Sequence, residues 1–501
     1  PPRSTLFPYT TLFRSEQIYG ERYITEELEH SEGADGLVKV TGSITHKIFH
    51  LVEGMKHYMA QNYCGDLFSW KRKQELLRLK FPNFPSKTQI AQLNFEDIYI
   101  KPQPSSIESR KQVDLSARLS PGLSLHIPYV ALPASFVQKK ICTIMAQLGG
   151  IGFLSRKRAN EDIDKIVQRI KKIKSNHPYY FFPSIQERNE EIGKTIDFLN
   201  ENNFSCVIIV KNFQHDWTPI GIATREDLYD RPRTDTLQEV IKTNIFKVQE
   251  GIDLKEASEI MLNKGIHHLP VIDKQGHLVG CITPRDITLR VVYRLTPNVD
   301  GQGKLRVGAA IKTETFQFDK AMEEGMALEK AGADAILFET DNGYDPHYLE
   351  FFRRLREKTN CLLVASGVST YDGAIALFQA GADVVKAGNP AIHIPAAESI
   401  HECSRAALSC GKKIISEDRG NIVYPRDANL SLLLGASAAG LRGVLAPTYE
   451  NSAQFASTHK KGTEKGTKLV RRVVHGLEYI LEDLGPFHHE KIGRASCRER
   501  V

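Results

Sequence analysis

Long apolar runs are missing from this 501-residue chain: nothing reaches the roughly 18 consecutive apolar residues of a membrane-spanning helix, so a helical membrane protein is excluded. Cysteines in ligand or disulfide spacing are missing too. Outside the terminal stretch 492–501, which holds Cys497, the cysteines Cys64, Cys142, Cys206, Cys281, Cys361, Cys403 and Cys410 are scattered, odd in number and in neither CxxC nor Cys/His arrangement. That excludes a zinc site and a disulfide framework and fits a reducing, cytoplasmic compartment. A strong charge of one sign is also absent. Thr5–Ser15 and Ile492–Val501 back-translate as opposite strands of one DNA segment, so residues 1–15 and 492–501 read as adapter-derived and are set apart, the alternative being a genuine apolar leader and basic tail. Without their arginines and Glu499 the formal charge falls from +6 to +2, and the balance carries no nucleic-acid signature.

What is present is a repeated phrase. Lys330-Ala331-Gly332-Ala333-Asp334 precedes the apolar run Ala335–Phe338, and Gln379-Ala380-Gly381-Ala382-Asp383 precedes Val384–Ala387. Helix, Ala-Gly-Ala-Asp turn, apolar strand and loop is the grammar of βα units around a parallel sheet. Further strands are expected at Ile127–Leu132, after Gly149-Gly150, and at Leu362–Ala365, Lys413–Ser416 and Ala438–Leu441. Helices are expected at Ile44–Met59, Ile141–Leu148 and Leu469–Leu481. The fold class this predicts is α/β, a (β/α)8 TIM barrel, whose loops after the strands carry the chemistry. Phe81–Lys87 is Pro-punctuated, and residues 76–90 read as a linker.

Residues 178–293 break the rhythm with an internal repeat: a helix, an apolar strand, a second strand, then Gly-x-x-Thr-x-x-Asp. The copies end in Gly221–Asp227 and Gly280–Asp286. The pattern resembles a pair of cystathionine-β-synthase (CBS) domains. Thr224 with Asp227, and Thr283 with Asp286, are capping boxes on one reading. On the other, implied by the resemblance, the aspartates hold a ribose and the threonines approach phosphate, with ATP, AMP or GTP as ligands.

A barrel opened by Leu93-Asn94-Phe95-Glu96-Asp97 and Val113-Asp114-Leu115-Ser116, then interrupted after Gly149–Phe153 by such a pair, resembles inosine monophosphate dehydrogenase and guanosine monophosphate reductase. The resemblance implies residues 91–177 and 305–491 as the two parts of the barrel, purine nucleotides as ligands, and NAD or NADPH as cofactor. It also implies a cysteine thiolate, in the loop after the sixth strand, that adds to the purine. Here that loop, Gly388–Pro395, has no cysteine and no glycine-rich run; His393 is its one nucleophile or base, against an incidental loop histidine. Glu339 stands where the family has an aspartate, and a carboxylate there can hold a ribose or a ring nitrogen. The phosphate loops read Glu417-Asp418-Arg419-Gly420 and Leu441-Arg442-Gly443, in which Arg419 or Arg442 either pairs with phosphate or blocks it. The pocket implied by the resemblance is therefore Glu339, Asp418, Gly420, Arg442 and Gly443, with no metal.

The flap before the last helix is missing from its place. Arg22 and Tyr23, in Glu21–Thr25, resemble its catalytic Arg-Tyr pair, so residues 16–75 resemble the C-terminal remnant of an upstream family unit. Three functions compete. One is a non-catalytic family copy beside an active dehydrogenase unit, as a homo-oligomer or paired with an active barrel. The second is a working dehydrogenase of inosine monophosphate that uses Arg22 and Tyr23. The third is a nucleotide-binding module based on the CBS pair.

Overall fold

The computed structural model describes residues 44–61 and most of 112–445, with strands at 77–79, 98–100, 456–458, 468–474 and 477–483 on either side. In chain order the first elements are α1 (Ile44–Gln61), β1 (Leu77–Leu79), β2 (Ile98–Ile100), β3 (Ala117–Ser120), β4 (Leu123–Leu125) and β5 (Tyr129–Ala131). They are followed by α2 (Lys139–Gln147), β6 (Ile151–Leu154) and α3 (Ile163–Lys174). The inserted region holds β7 (Ser184–Gln186), α4 (Ile192–Asn202), β8 (Cys206–Asn212), β9 (Asp216–Thr224) and α5 (Arg225–Tyr229). Its second half holds β10 (Val248–Gln249), α6 (Leu254–Lys264), β11 (Leu269–Ile272), β12 (Leu278–Ile282) and α7 (Pro284–Ile287). Then come β13 (Gly308–Lys312), α8 (Phe318–Lys330), β14 (Ala335–Glu339), α9 (Pro346–Lys358), β15 (Leu362–Val368), α10 (Tyr371–Gln379) and β16 (Val384–Ala387). The series ends with α11 (Ala396–Ser409), β17 (Lys413–Ser416), α12 (Pro425–Leu433), β18 (Ala438–Leu441), β19 (Ala456–Thr458), β20 (Lys468–Val474) and β21 (Leu477–Asp483).

Strands β13-β14-β15-β16-β17-β18-β5-β6 close into one parallel barrel. The repeated Ala-Gly-Ala-Asp turn has a mechanical reason. Gly332 and Gly381 sit at φ +96° and +108°, where a Cβ is strained. The aspartate after each then clips the start of the neighbouring strand: Asp334 Oδ2 accepts from Val307 N at 2.8 Å, and Asp383 Oδ2 from Leu363 N at 3.0 Å. Their own amides donate to the same two residues' carbonyls. Gly435-Ala436-Ser437 repeats the turn before β18, with the Ser437 amide donating to Ile414.

Inward residues along the strands, among them Val130, Ile151, Ala335, Leu337, Val364, Val384, Ile415 and Ala438, form the barrel interior. Leu119, Leu123 and Leu125 of the β3–β4 hairpin close its N-terminal end. The opposite parity faces the helices in the larger outer core. Between α12 and α2, where an eighth outer helix belongs, lies α1, its Ile44, Ile48, Leu51, Val52, Met55 and Met59 fully buried. Phe49 stacks on Tyr293 at the strands' N-terminal rim, while Gly54 abuts Pro425 at the first turn of α12. The helix therefore runs along the strand direction, opposite to α12.

The helix expected at Leu469–Leu481 is corrected: β20 and β21 pair antiparallel there, Val474 opposite Leu477, with β19 alongside. The physical reason is that Val470, Val473, Val474 and Ile480 are β-branched, and Gly476 would fall in the helix interior. The stretch expected to be a linker also contains β1, paired with β2. The inserted region is two three-stranded sheets, β7-β8-β9 and β10-β11-β12, each with its helices. They meet through Ile185, Ile208, Val210, Leu278 and Cys281.

Candidate functional site at the barrel mouth

Inward parity continues above the apolar layers. Glu339 follows Ala335 and Leu337 on β14, and Lys386 follows Val384 on β16. Glu417 follows Ile415 just past β17, and Arg442 follows Ala438 and Gly440 just past β18. All four charged side chains converge at the C-terminal ends of the strands. Lys386 Nζ lies 2.8 Å from Glu339 Oε1 and also pairs with Glu417. Arg442 Nη2 lies 3.0 Å from Glu417 Oε1 and 3.9 Å from Glu339 Oε1. Lys386 is 4% exposed and Glu417 2%, whereas Arg442 and Glu339 are 21% and 30%. Burial, the largest influence on Lys386, lowers its pKa, but Glu339 and Glu417 together outweigh it. The ammonium is held above its ordinary value despite Arg442.

Glycines make the room. A Cβ on Gly440 would stand 2.2 Å from Ser416 O and 2.5 Å from Leu132 Cδ1, so the chain beneath Arg442 passes against β17 without a side chain. Gly388, at φ +123°, opens the loop after β16 against Glu417, whose Cβ would be 2.7 Å from an added one. The start of the loop after β14 is tied to β15: Ser366 Oγ donates to Phe338 O at 3.1 Å and accepts from Thr340 N at 3.2 Å.

Thiols are held elsewhere. Cys403 is fully buried on α11 with its Sγ toward Val368 O and Thr370 O, and burial pushes its pKa well up. Cys142 is fully buried on α2, beneath β6, and Cys361 lies at the N-terminal start of β15; burial raises both, Cys361 to about 12. Cys206, raised by burial to about 12, and Cys281 belong to the inserted region. Among the described residues no thiol faces the mouth.

Of the pocket residues expected from sequence, Glu339, Arg442 and Gly443 are at the mouth. Arg442 meets the carboxylates Glu417 and Glu339. Asp418, Gly420, Arg419, His393, Arg22 and Tyr23 lie outside the described residues. Sequence reasoning passed over Lys386 and gave Glu417 no role; inward parity on β16 and β17 was the signal that marks both. In the inserted region both capping contacts form. Thr224 N and Oγ1 donate to Asp227 Oδ2 at 2.9 and 2.8 Å, and Lys242 pairs with Asp227 at 2.7 Å. Thr283 N and Oγ1 donate to Asp286 Oδ2 at 2.8 and 2.6 Å.

An eight-stranded parallel barrel with its polar cluster at the strands' C-terminal ends defines the class: an α/β barrel whose site is where barrel enzymes keep theirs. A family model described as IMP dehydrogenase / GMP reductase domain matches residues 92–467. Inosine-5'-monophosphate dehydrogenase of Aquifex aeolicus (strain VF5) is 31% identical over 381 residues, 72% of this chain and 74% of that protein. The protein of the same name from Halalkalibacterium halodurans is 29% identical over 448 residues, 81% of this chain and 89% of its own. Among solved structures, GMP reductase from Trypanosoma brucei in complex with guanosine 5'-triphosphate superposes with a TM-score of 0.53 at 24% identity, over 74% of this chain and 89% of that one. This chain belongs to the IMP dehydrogenase / GMP reductase family.

Proposed function

We propose that this barrel is a non-catalytic member of its family, retained for assembly or nucleotide sensing beside an active purine-nucleotide dehydrogenase unit. One observation carries the reading: the loop that leaves β16 at Gly388 contains no cysteine through Pro395, and the described thiols lie away from the mouth, all of them buried except Cys410 at the C-terminal end of α11. Addition to a purine needs an exposed thiolate, and burial that raises a thiol's pKa works against one. NAD, which the family resemblance brings with it, then has no hydride donor to meet. The mouth carboxylate Glu417 is moreover already paired with Lys386 and Arg442, so the residues present do not fit the cofactor's chemistry and no step through it follows. Assembly as a homo-oligomer or with an active family barrel is part of the same proposal. The test uses the full chain with inosine monophosphate and NAD. No NADH absorbance is expected, and steady turnover overturns the reading in favour of a working dehydrogenase using Arg22 and Tyr23.

A second reading concerns the inserted region, as a CBS-type pair for adenine or guanine nucleotides. It is favoured by the equivalent placement of Thr224–Asp227 and Thr283–Asp286 at the two strand-to-helix junctions. A ligand that binds the folded state raises its melting temperature, by roughly 2.7 kcal/mol of stability at a hundredfold excess over Kd. Millimolar ATP, AMP or GTP is expected to shift the melt; no shift with any of the three removes this reading.

A further inference from the structure

The path of the chain from the inserted region back to the barrel is fastened at more points than a connection needs, and one of the fasteners belongs to α1. We infer that this junction is a latch that fixes how the inserted region stands on the barrel, with Arg290 as its hub and α1 as a removable keeper.

Helix α7 does not stop at Ile287. It widens into a π-type stretch, Thr288–Val292, in which Tyr293 N donates to Thr288 O at 3.0 Å. The stretch ends at Arg294, φ +56°, the one non-glycine at positive φ among the described residues. Arg290, inside the widened turn, joins three pieces of chain. Its Nη1 donates to Gln147 O at the end of α2 at 2.6 Å and to Leu295 O on the return path at 2.9 Å. Its Nη2 donates to Pro178 O on the outgoing path at 3.4 Å. Charge-assisted bonds from one planar group to three carbonyls resist rotation of either path about the other. Two further ties lie alongside. Asn298, buried, donates to Gly150 O through Nδ2 at 3.0 Å and to Ala146 O through its amide at 2.7 Å. Lys174 Nζ, at the end of α3, bridges Asp300 at 2.9 Å and Asp334 at 2.7 Å. A hinge works by letting a few connecting residues change φ and ψ; on the return path those residues are pinned.

The keeper is α1. Its Phe49 ring lies 3.8 Å, centroid to centroid, from that of Tyr293, the residue that follows the π-type stretch. The same helix packs on α2, whose Gln147 carbonyl Arg290 grips. Helices α8 to α12 each bridge two consecutive barrel strands, whereas α1 reaches β3 only through residues 62–116. It can therefore leave its seat without opening a βα unit, as a local release below the cost of global unfolding. With α1 gone, Tyr293 loses its ring partner and the latch loses its outer wall.

The test is hydrogen exchange read by mass spectrometry on the full chain. In the parent, amides 288–298 are expected to exchange as slowly as those of α2. Phe49→Ala is expected to speed them at least tenfold while β14–β16 keep the parent's rates, and Phe49→Tyr, which retains the ring stack, to keep them protected. Arg290→Met is expected to speed the same amides further and to split the calorimetric melt into separate barrel and insert transitions. Adding Phe49→Ala to Arg290→Met should then change nothing more. Tyr293→Leu, which removes the stack from the other side, replaces Phe49→Ala should that variant fail to fold by circular dichroism. Fast exchange at 288–298 in the parent, or an undivided melt in Arg290→Met, overturns the latch. Rates unchanged by Phe49→Ala, rates that rise equally in the barrel strands, or effects of the two substitutions that simply add, overturn the role of α1 as its keeper.

Discussion

Lys386→Met removes the cation on which the mouth is built. At an effective dielectric of about 20, charges 2.8 Å apart attract by roughly 6 kcal/mol, before the desolvation of either is counted. Glu339 is 30% exposed and water screens part of its share, whereas Glu417, 2% exposed, has little access to solvent. Taking the ammonium out of water costs several kcal/mol in the first place, so the pair is no large net asset. Deleting one partner nevertheless strands the other, and that costs about 3–5 kcal/mol. The barrel transition in calorimetry should therefore fall by on the order of 10 °C. Lys386→Met combined with Glu417→Gln should lose less than the two single variants summed, because neither charge is then left buried alone. The pH dependence has a definite sign. The folded lysine holds its proton above the ordinary 10.5, so its contribution is complete below that value and fades only as pH rises through the raised one. The difference between parent and variant should be flat from pH 6 to 9. A single variant melting within about 2 °C of the parent, or losses that simply add, would refute the reasoning.

Gly54→Ala tests the seating of α1. The new methyl would stand 2.4 Å from Pro425 Cβ, a rigid ring, and a loss of about 1–3 kcal/mol is expected by urea denaturation, against the gain alanine ordinarily brings to a helix. His268, in the inserted region, is lowered to about 4, first by burial and then by His267. Its unfolded form takes a proton near the ordinary 6.5, so stability is complete above that and declines between pH 6.5 and 4, by about 3 kcal/mol at most. His268→Gln should flatten that slope in pH-dependent melts.

The barrel was legible because its turns are chemical as well as topological: a glycine at positive φ and an aspartate that clips the adjacent strand recur before β14 and β16. The capping residues Thr224 and Asp227 were legible for the same reason, since both partners lie within one turn. The mouth was not. Lys386 sits inside an apolar strand, its partners Glu339 and Glu417 arrive from β14 and β17 and Arg442 from β18, so only the parity of each strand, laid side by side, brings them together. The pairing of β20 with β21 is hidden where two periodicities overlap: a helical spacing of leucines competes with β-branched residues on either side of Gly476. The eighth outer position was expected from the chain's far end; α1 fills it in reverse.

That reversal has a bearing on synthesis. Helix α1 leaves the ribosome hundreds of residues before α12, yet each is the other's neighbour in the finished shell. Until residues 425–433 have been made, the greasy side of α1 has no seat on that flank, and closure waits on a contact between distant parts of the chain. Folding of this barrel should accordingly finish late, as a ring fastened by its opening link.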